Sequence, residues 1–156
     1  MTVQDPRKSL SESSTCPFCR IVADADPQAN VVGRGENWVA FLPLDPATNG
    51  HTLVVPRLHV RDFWEVGPAL AAEMAAACLQ VGKALRELLS PEGMNLITSA
   101  GDVAEQTVFH LHMHVVPRWP GDAIGALWPS ADKGGDPVTP DLVRSIRQAI
   151  VRHGGL

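Results

Sequence analysis

Three histidines alternate with apolar residues in the segment His110-Leu111-His112-Met113-His114-Val115-Val116. In a β-strand, successive side chains point to opposite faces of the sheet. The pattern therefore predicts a strand that carries all three imidazoles on one face and directs the intervening apolar side chains into the core. We expect this strand to run from Val108 to Val116.

Two kinds of chemistry fit three imidazoles on one face. In the first, two histidines of the strand bind a metal ion together with ligands from elsewhere in the chain. In the second, a neutral imidazole attacks phosphorus and forms a covalent phosphoramidate. That reaction needs a proton donor for the leaving group and hydrogen-bond donors for the phosphate oxygens, which a neighbouring histidine and the preceding Gln106-Thr107 pair could supply. A purely structural role for the imidazoles is the third interpretation.

The segments on either side of the histidine strand predict an antiparallel sheet with helices packed on it. Apolar runs bounded by turn residues predict strands at Trp38–Leu42, Thr52–Val55 and Met94–Thr98. Apolar residues at intervals of three and four predict a helix over Pro68–Leu89, and Thr139 is a candidate cap for a last helix. Because the strands follow one another with few crossovers, we expect an α+β fold with about five strands and two main helices.

Composition limits the class of protein. The chain has 156 residues, of which 45% are hydrophobic and 19% charged, so a folded domain is expected over 15–156 after a flexible tail over 1–14. The formal net charge of −4 argues against binding of nucleic acid by bulk charge. We find neither a membrane-spanning stretch nor a secretory signal, and therefore expect a cytoplasmic protein that does not bind membranes.

Cys16 and Cys19 form a C-x-x-C pair, which in a cytosolic chain is typical of metal binding or redox chemistry. A structural zinc site needs four ligands, so two would have to come from elsewhere. The alternative is a reduced, half-buried pair beside Phe18. Cys78 falls in the apolar stripe of the long helix and is expected in the core.

Three segments together resemble the histidine triad (HIT) family of nucleotide hydrolases and transferases. The run from Gln106 through the histidines to Pro117-Arg118 is similar to the family signature. The segment Gly50–Pro56 with His59 resembles the upstream segment of that family, and the cysteine pair resembles its zinc-carrying bacterial-type branch. The matches follow the order of the family and extend from Cys16 to about Trp128.

The resemblance implies a role for each matching residue. His112 would be the nucleophile that takes the nucleotidyl group, and His114 would assist proton transfer at the leaving group. His110 would support the array, and His51 would lie close to it. The polar residues implied to contact the substrate are Gln106, Thr107, Asn95 and Ser99, and the implied zinc ligands are Cys16, Cys19, His59 and His110.

The family also implies an activity and an assembly. We expect a HIT-like fold, a structural zinc ion without an organic cofactor, and a homodimer. The implied reaction cleaves a phosphoanhydride or phosphoramidate bond of a purine nucleotide or dinucleoside polyphosphate through a nucleotidyl-histidine. The alternatives are a nucleotide-binding module with little turnover and a dinucleoside polyphosphate phosphorylase.

Two positions depart from the family pattern. Pro43 stands where the family often has a residue that grips the ribose hydroxyls, and Asp45 follows two residues later. Glu105 stands where the signature usually has glycine. These two residues favour the binding module over the enzyme.

Overall fold

Five strands form one antiparallel sheet in the order β1-β2-β3-β5-β4, which confirms the predicted α+β class. The structure, a computed structural model, describes residues 15–130 and 134–154. The strands are β1 (Asn30–Arg34), β2 (Trp38–Leu42), β3 (Thr52–Pro56), β4 (Gly93–Ile97) and β5 (Met113–Arg118). The helices are α1 (Pro17–Val22), α2 (Pro68–Leu89) and α3 (Pro140–Arg152), with a 3₁₀ turn at Asp102–Ala104.

Both faces of the central strands are covered, each by a different helix. On one face, buried residues of α1 pack against side chains of β2 and β3, including Phe18 on Phe41. On the other, Met74 and Cys78 of α2 pack against Met113 and the strands beside it. Every residue of β3 is buried, as expected for a strand enclosed on both sides. Met113 and Val115 of β5 belong to the cluster on the α2 side.

The apolar stripe predicted for the long helix faces the sheet. Met74 is fully buried, and Leu70, Val81 and Leu85 pack around the same cluster. Cys78 is buried as predicted, and burial raises the pKa of its thiol to about 11.

Two features of the sheet differ from the sequence-based expectation. The edge strand β1 was not predicted. Asn30 and Gly33 are poor strand formers, and the strand is nowhere fully buried, so it lacks the apolar run that marks the other strands. The histidine strand is shorter than predicted at its start and longer at its end, since β5 begins at Met113. Residues 108–112 leave the ladder because Leu111 donates its N–H to the carbonyl of Val60 in a neighbouring loop, at 2.6 Å.

The chain divides into two compact units, one up to Gly125 and one from Ala126. The first contains the sheet, α1 and α2, and the second contains α3, whose first turn is capped by Thr139 as predicted. The predicted tail over residues 1–14 lies outside the described residues, and the single domain over 15–156 stays a prediction. Within the described ranges, no helix combines the length and apolar character of a membrane span.

Candidate active site and metal centre

His112 is buried, and one hydrogen bond sets which of its ring nitrogens carries the proton. Its Nδ1 lies 2.8 Å from the carbonyl oxygen of His110. A carbonyl can only accept, so Nδ1 bears the proton and the lone pair of the neutral ring is on Nε2. The backbone of His112 is held as well, because Thr98 at the end of β4 donates its hydroxyl to the His112 carbonyl at 2.9 Å. The structure therefore presents a fixed, neutral imidazole with an available lone pair.

His114 belongs to a second chain of hydrogen bonds that begins at the backbone. The N–H of Ala47 donates to Nδ1 of His51 at 3.1 Å, and Nε2 of His51 lies 2.9 Å from Nδ1 of His114. Because Nδ1 of His51 accepts, its Nε2 donates, and the proton of neutral His114 is on Nε2. His51 thus fixes His114 as a donor, with its ring 4.9 Å from that of His112.

Burial keeps these imidazoles neutral. It lowers the pKa of His114 to about 4, and positive charge on His112 or His51 acts in the same direction. The pKa values of His51 and His112 are also lowered by burial, although the hydrogen bond to the His110 carbonyl opposes this at His112. The rings of His112 and His114 lie close together, and Leu53, which packs with α1, is the register partner of His114 in β3.

A cluster of two thiols and two imidazoles lies next to this site. The ligand atoms of its four members all lie within 4.8 Å of one another, and the members are Cys16, Cys19, His59 and His110. Nδ1 of His110 is 3.5 Å from both sulfurs, and Nδ1 of His59 is 3.3 Å from Sγ of Cys19. Tetrahedral zinc with Zn–S of about 2.3 Å and Zn–N of about 2.0–2.1 Å requires S···N separations of roughly 3.5 Å. The cluster therefore has the dimensions of a zinc site.

His110 is prepared as a ligand by its other nitrogen. Its Nε2 donates to the carbonyl of Pro56 at 2.9 Å, which leaves the lone pair on Nδ1 facing the two sulfurs. Burial lowers the pKa of His110 to about 4, so the ring is neutral as a metal ligand must be. Zinc bound here would have a full set of protein ligands, which gives it a bracing role.

The metal cluster and the histidine pair share residues. The His110 carbonyl orients His112 while the His110 side chain belongs to the cluster. Phe18 lies between the two cysteines in α1, and its ring centroid is 5.9 Å from that of His110 and 5.3 Å from that of His112. Sequence reasoning missed this role of Phe18 and the backbone bond from Thr98, and an aromatic residue inside the cysteine motif was the only available signal.

The four residues predicted to contact substrate differ in how deeply they are buried and in their hydrogen-bond partners. Gln106 is buried, and its amide donates to the carbonyls of Arg61 and Val108 and accepts from the N–H of Gly101. A phosphate contact through that amide would require giving up one of these bonds. Thr107 is exposed, Ser99 is half-buried, and Asn95 accepts from Arg118 at 2.6 Å.

A pocket of about 360 Å³ opens beside Phe18. Its walls include Ile21, Phe41 and Leu53, and both Pro43 and Asp45 line it. We call it the apolar pocket. Since Phe18 contacts the ring of His112 and Leu53 lies opposite His114, the pocket borders the histidine pair.

Glu105 adopts a left-handed backbone conformation with φ 64° and ψ 27°. This region disfavours residues with a Cβ by about 1–2 kcal/mol, and glycine, the usual residue of the signature here, avoids that cost. The side chain is exposed, so its charge points to solvent.

Glu105→Gly is expected to stabilise the protein by about 0.5–1 kcal/mol, because the strain relieved exceeds the entropy that glycine adds to the unfolded chain. Urea denaturation measures the difference. Glu105→Ala removes the same charge but keeps the Cβ, so a matching gain in that variant would show that charge, and not conformation, is responsible.

Comparison with known proteins places these features in a family. A family model described as HIT domain matches residues 24–121. Protein hit of Bacillus subtilis (strain 168) is 35% identical over 142 residues, which cover 90% of this chain and 95% of that protein. A Mycobacterium tuberculosis protein named AP-4-A phosphorylase is 35% identical over 153 residues, covering 94% of this chain and 73% of that protein.

A solved structure of a relative is described as zinc-bound. The crystal structure of a Zn-bound histidine triad family protein from Mycobacterium smegmatis has a TM-score of 0.68 and 37% identity, and the match covers 90% of this chain and 96% of that chain. The four-residue cluster of this chain is likewise compatible with zinc binding. By fold, sequence and metal cluster, the chain belongs to the HIT family, in its zinc-carrying branch.

Proposed function

We propose that the protein is a nucleotide hydrolase or nucleotidyl transferase that cleaves a phosphoanhydride or phosphoramidate bond through a covalent intermediate on His112. The observation that carries this is the hydrogen bond from Nδ1 of His112 to the His110 carbonyl, which leaves the lone pair on Nε2 of a ring that contacts Phe18 in the wall of the apolar pocket. A group held in this way needs no reorientation before it attacks.

The reaction proceeds in two steps. Nε2 of His112 attacks the α-phosphorus and forms a P–N bond, while the bond from phosphorus to the leaving oxygen or nitrogen breaks. The Nε2–H of neutral His114, set by the chain through His51, donates a hydrogen bond to the departing atom; a phosphate leaving group departs as its anion, and an amine takes its proton from water. Water or another acceptor then attacks phosphorus, the P–N bond breaks and returns its electron pair to Nε2 of His112, and the proton of the attacking group passes to solvent as the nucleotide is released.

The apolar pocket is the proposed site for the nucleoside. Its volume of about 360 Å³ lies within the range of small-ligand pockets, roughly 300–1,000 Å³. Phe18, Phe41 and Leu53 offer apolar surface to a purine base, and Asp45 can accept hydrogen bonds from ribose hydroxyls where Pro43 cannot. Zinc, held by its four ligands, would fix α1 and with it one wall of this pocket.

The experiment that tests the proposal uses substrates labelled at the α-phosphate. Adenosine phosphoramidates and dinucleoside polyphosphates are assayed with and without inorganic phosphate, and the reaction is stopped in denaturant at alkaline pH. Label is expected on wild-type chains and not on His112→Asn. Turnover by the wild type without any labelled chain under single-turnover conditions would contradict the covalent step.

The two alternatives give different outcomes in the same assay. A phosphorylase, the activity for which the Mycobacterium tuberculosis relative is named, would turn over only when phosphate is added. A nucleotide-binding module would bind nucleotide with little turnover.

We also propose a cytoplasmic location, because two reduced thiols arranged as metal ligands need a reducing compartment.

A homodimer formed through β4 and α2 is part of the proposal. β4 is an edge strand, and edges with unpaired backbone groups pair readily with a second copy. Leu96 of β4 is 57% exposed and Leu79 of α2 is 60% exposed, and both line an apolar depression of about 560 Å³. A twofold axis would bury both residues against their own copies.

Light scattering at micromolar concentration is expected to give the dimer mass for the wild type and the monomer mass for Leu96→Asp, because a carboxylate would be buried without a partner. Leu58→Asp, which changes another exposed leucine far from β4 in the sequence, should remain dimeric. A monomeric wild type, or a dimeric Leu96→Asp, would refute this interface.

A further inference from the structure

A second pocket of about 360 Å³ shares Pro17 with the apolar pocket, so the two are neighbours. Thr15 and Cys16 line it beside Pro17, and its other walls come from two loops, one with His59 and Arg61 and one running from Thr107 to Phe109. We call it the arginine pocket. Two of its lining residues, Cys16 and His59, belong to the metal cluster with His110, whose carbonyl orients His112. This connects the pocket to the proposed reaction centre.

Arg61 is held so that one edge of its guanidinium remains available. The guanidinium carbon lies 4.2 Å from the ring centroid of Phe109, over its face. Nε lies 3.5 Å from a carboxylate oxygen of Asp62, which is buried and accepts the N–H of Trp64 through its other oxygen. Among residues 15–130 and 134–154, no further ion pair or side-chain hydrogen bond of Arg61 is found. The terminal nitrogens are thus available, on a side chain that is 49% exposed.

A buried amide fixes the two loops relative to each other. Gln106 is 2% exposed, and its nitrogen donates to the carbonyl of Arg61 at 2.8 Å and to that of Val108 at 3.1 Å. Its oxygen accepts from the N–H of Gly101 at 2.9 Å. The two hydrogen bonds from the Gln106 nitrogen therefore join the two loops that form the walls of the arginine pocket. The pocket is therefore formed before any ligand arrives.

We infer that the arginine pocket binds phosphate groups of the leaving group, so that the protein prefers nucleotides whose leaving group is a polyphosphate over those whose leaving group is an uncharged amine. This inference rests on the proposed function. The planar guanidinium can pair with two phosphate oxygens at once, and the exposed Thr107 hydroxyl lies on the same pocket wall. With the nucleoside in the apolar pocket and its α-phosphate at His112, the neighbouring arginine pocket receives what departs.

The test compares two substrates in zinc-loaded protein. Arg61→Gln is expected to lower kcat/KM for a dinucleoside tetraphosphate by about tenfold or more, since a charge-assisted bidentate contact is lost. For an adenosine phosphoramidate of an uncharged amine, the change should stay below about threefold. Arg61→Lys keeps the charge but not the fork, and its loss should be intermediate and confined to the tetraphosphate. Arg152→Gln, which removes an exposed cation in α3, is the matched control and should change neither value.

The outcomes separate this inference from the proposed function. Equal losses on both substrates, or no loss on the tetraphosphate, would overturn it. Should Arg61→Gln fail to fold, Arg61→Lys carries the same comparison. Should the wild type turn over neither substrate, the proposed function fails. Calorimetric binding of inorganic tripolyphosphate at low salt then tests the arginine pocket by itself. Binding that is about tenfold weaker in a folded Arg61 variant keeps the pocket assignment, whereas equal binding, or none by the wild type, overturns it.

Discussion

Replacing His112 with asparagine is expected to abolish turnover of every nucleotide that the wild type accepts, a loss of about 10³-fold or more. Asparagine has an N–H near the position of Nδ1 and can still donate to the His110 carbonyl, but it has no counterpart of Nε2. The substitution therefore removes the nucleophile and keeps the hydrogen bond that the fold uses.

Steady-state assays and thermal unfolding of the same preparations measure the two effects. The melting temperature of His112→Asn should remain close to that of the wild type, and His112→Ala should be equally inactive. His153→Gln changes an exposed histidine at the end of α3 and serves as the control for loss of an imidazole. Substantial turnover by either His112 variant would eliminate the mechanism.

Loss of the metal is expected to have the second large effect. Purified protein that has never met a chelator should carry about one zinc per chain, and Cys19→Ser should carry far less. A ligand present at a thousandfold its dissociation constant stabilises the native state by about 4 kcal/mol. For a chain of this size that corresponds to a fall in melting temperature of roughly 8–16 °C when zinc is removed.

Metal analysis and calorimetry, with nucleotide turnover as a further readout, test this expectation. Because Phe18 and the His110 carbonyl connect the cluster to His112, the metal-free protein should also lose turnover. Cys78→Ala is the matched control, since it removes a thiol from the core and should keep its zinc although its packing is impaired. Wild-type protein without zinc and with readily titratable thiols at Cys16 and Cys19 would contradict the metal assignment.

The alternation of histidines predicted that His112 and His114 lie close together, and their ring centroids are 4.9 Å apart, whereas their catalytic roles stay predictions. The reason is local, since side chains two residues apart in extended backbone face the same way, although only His114 of the two lies within β5. The long helix was predictable for a similar reason, since its apolar spacing identifies the face that packs on the sheet.

Features that depend on distant contacts could not be predicted from spacing. The side chain of Gln106 bonds to backbone groups of Arg61 and Gly101, which no local pattern indicates. Asn95 is engaged by Arg118, which also binds both carboxylate oxygens of Asp122. The conformation of Glu105 follows from the turn that precedes the histidines, where the residue type alone argues against a left-handed backbone.

The distances along the chain between the metal ligands have a consequence for the order of folding. Cys16 and His110 are 94 residues apart, and Cys19 and His59 are 40 residues apart. Closing such long loops costs entropy that grows with the logarithm of loop length, about 0.6 kcal/mol per doubling. We therefore expect the site to assemble after β3 and β5 have paired and brought His59 and His110 together. Zinc then joins a chain that is already nearly folded, and its contribution is to slow unfolding rather than to speed refolding.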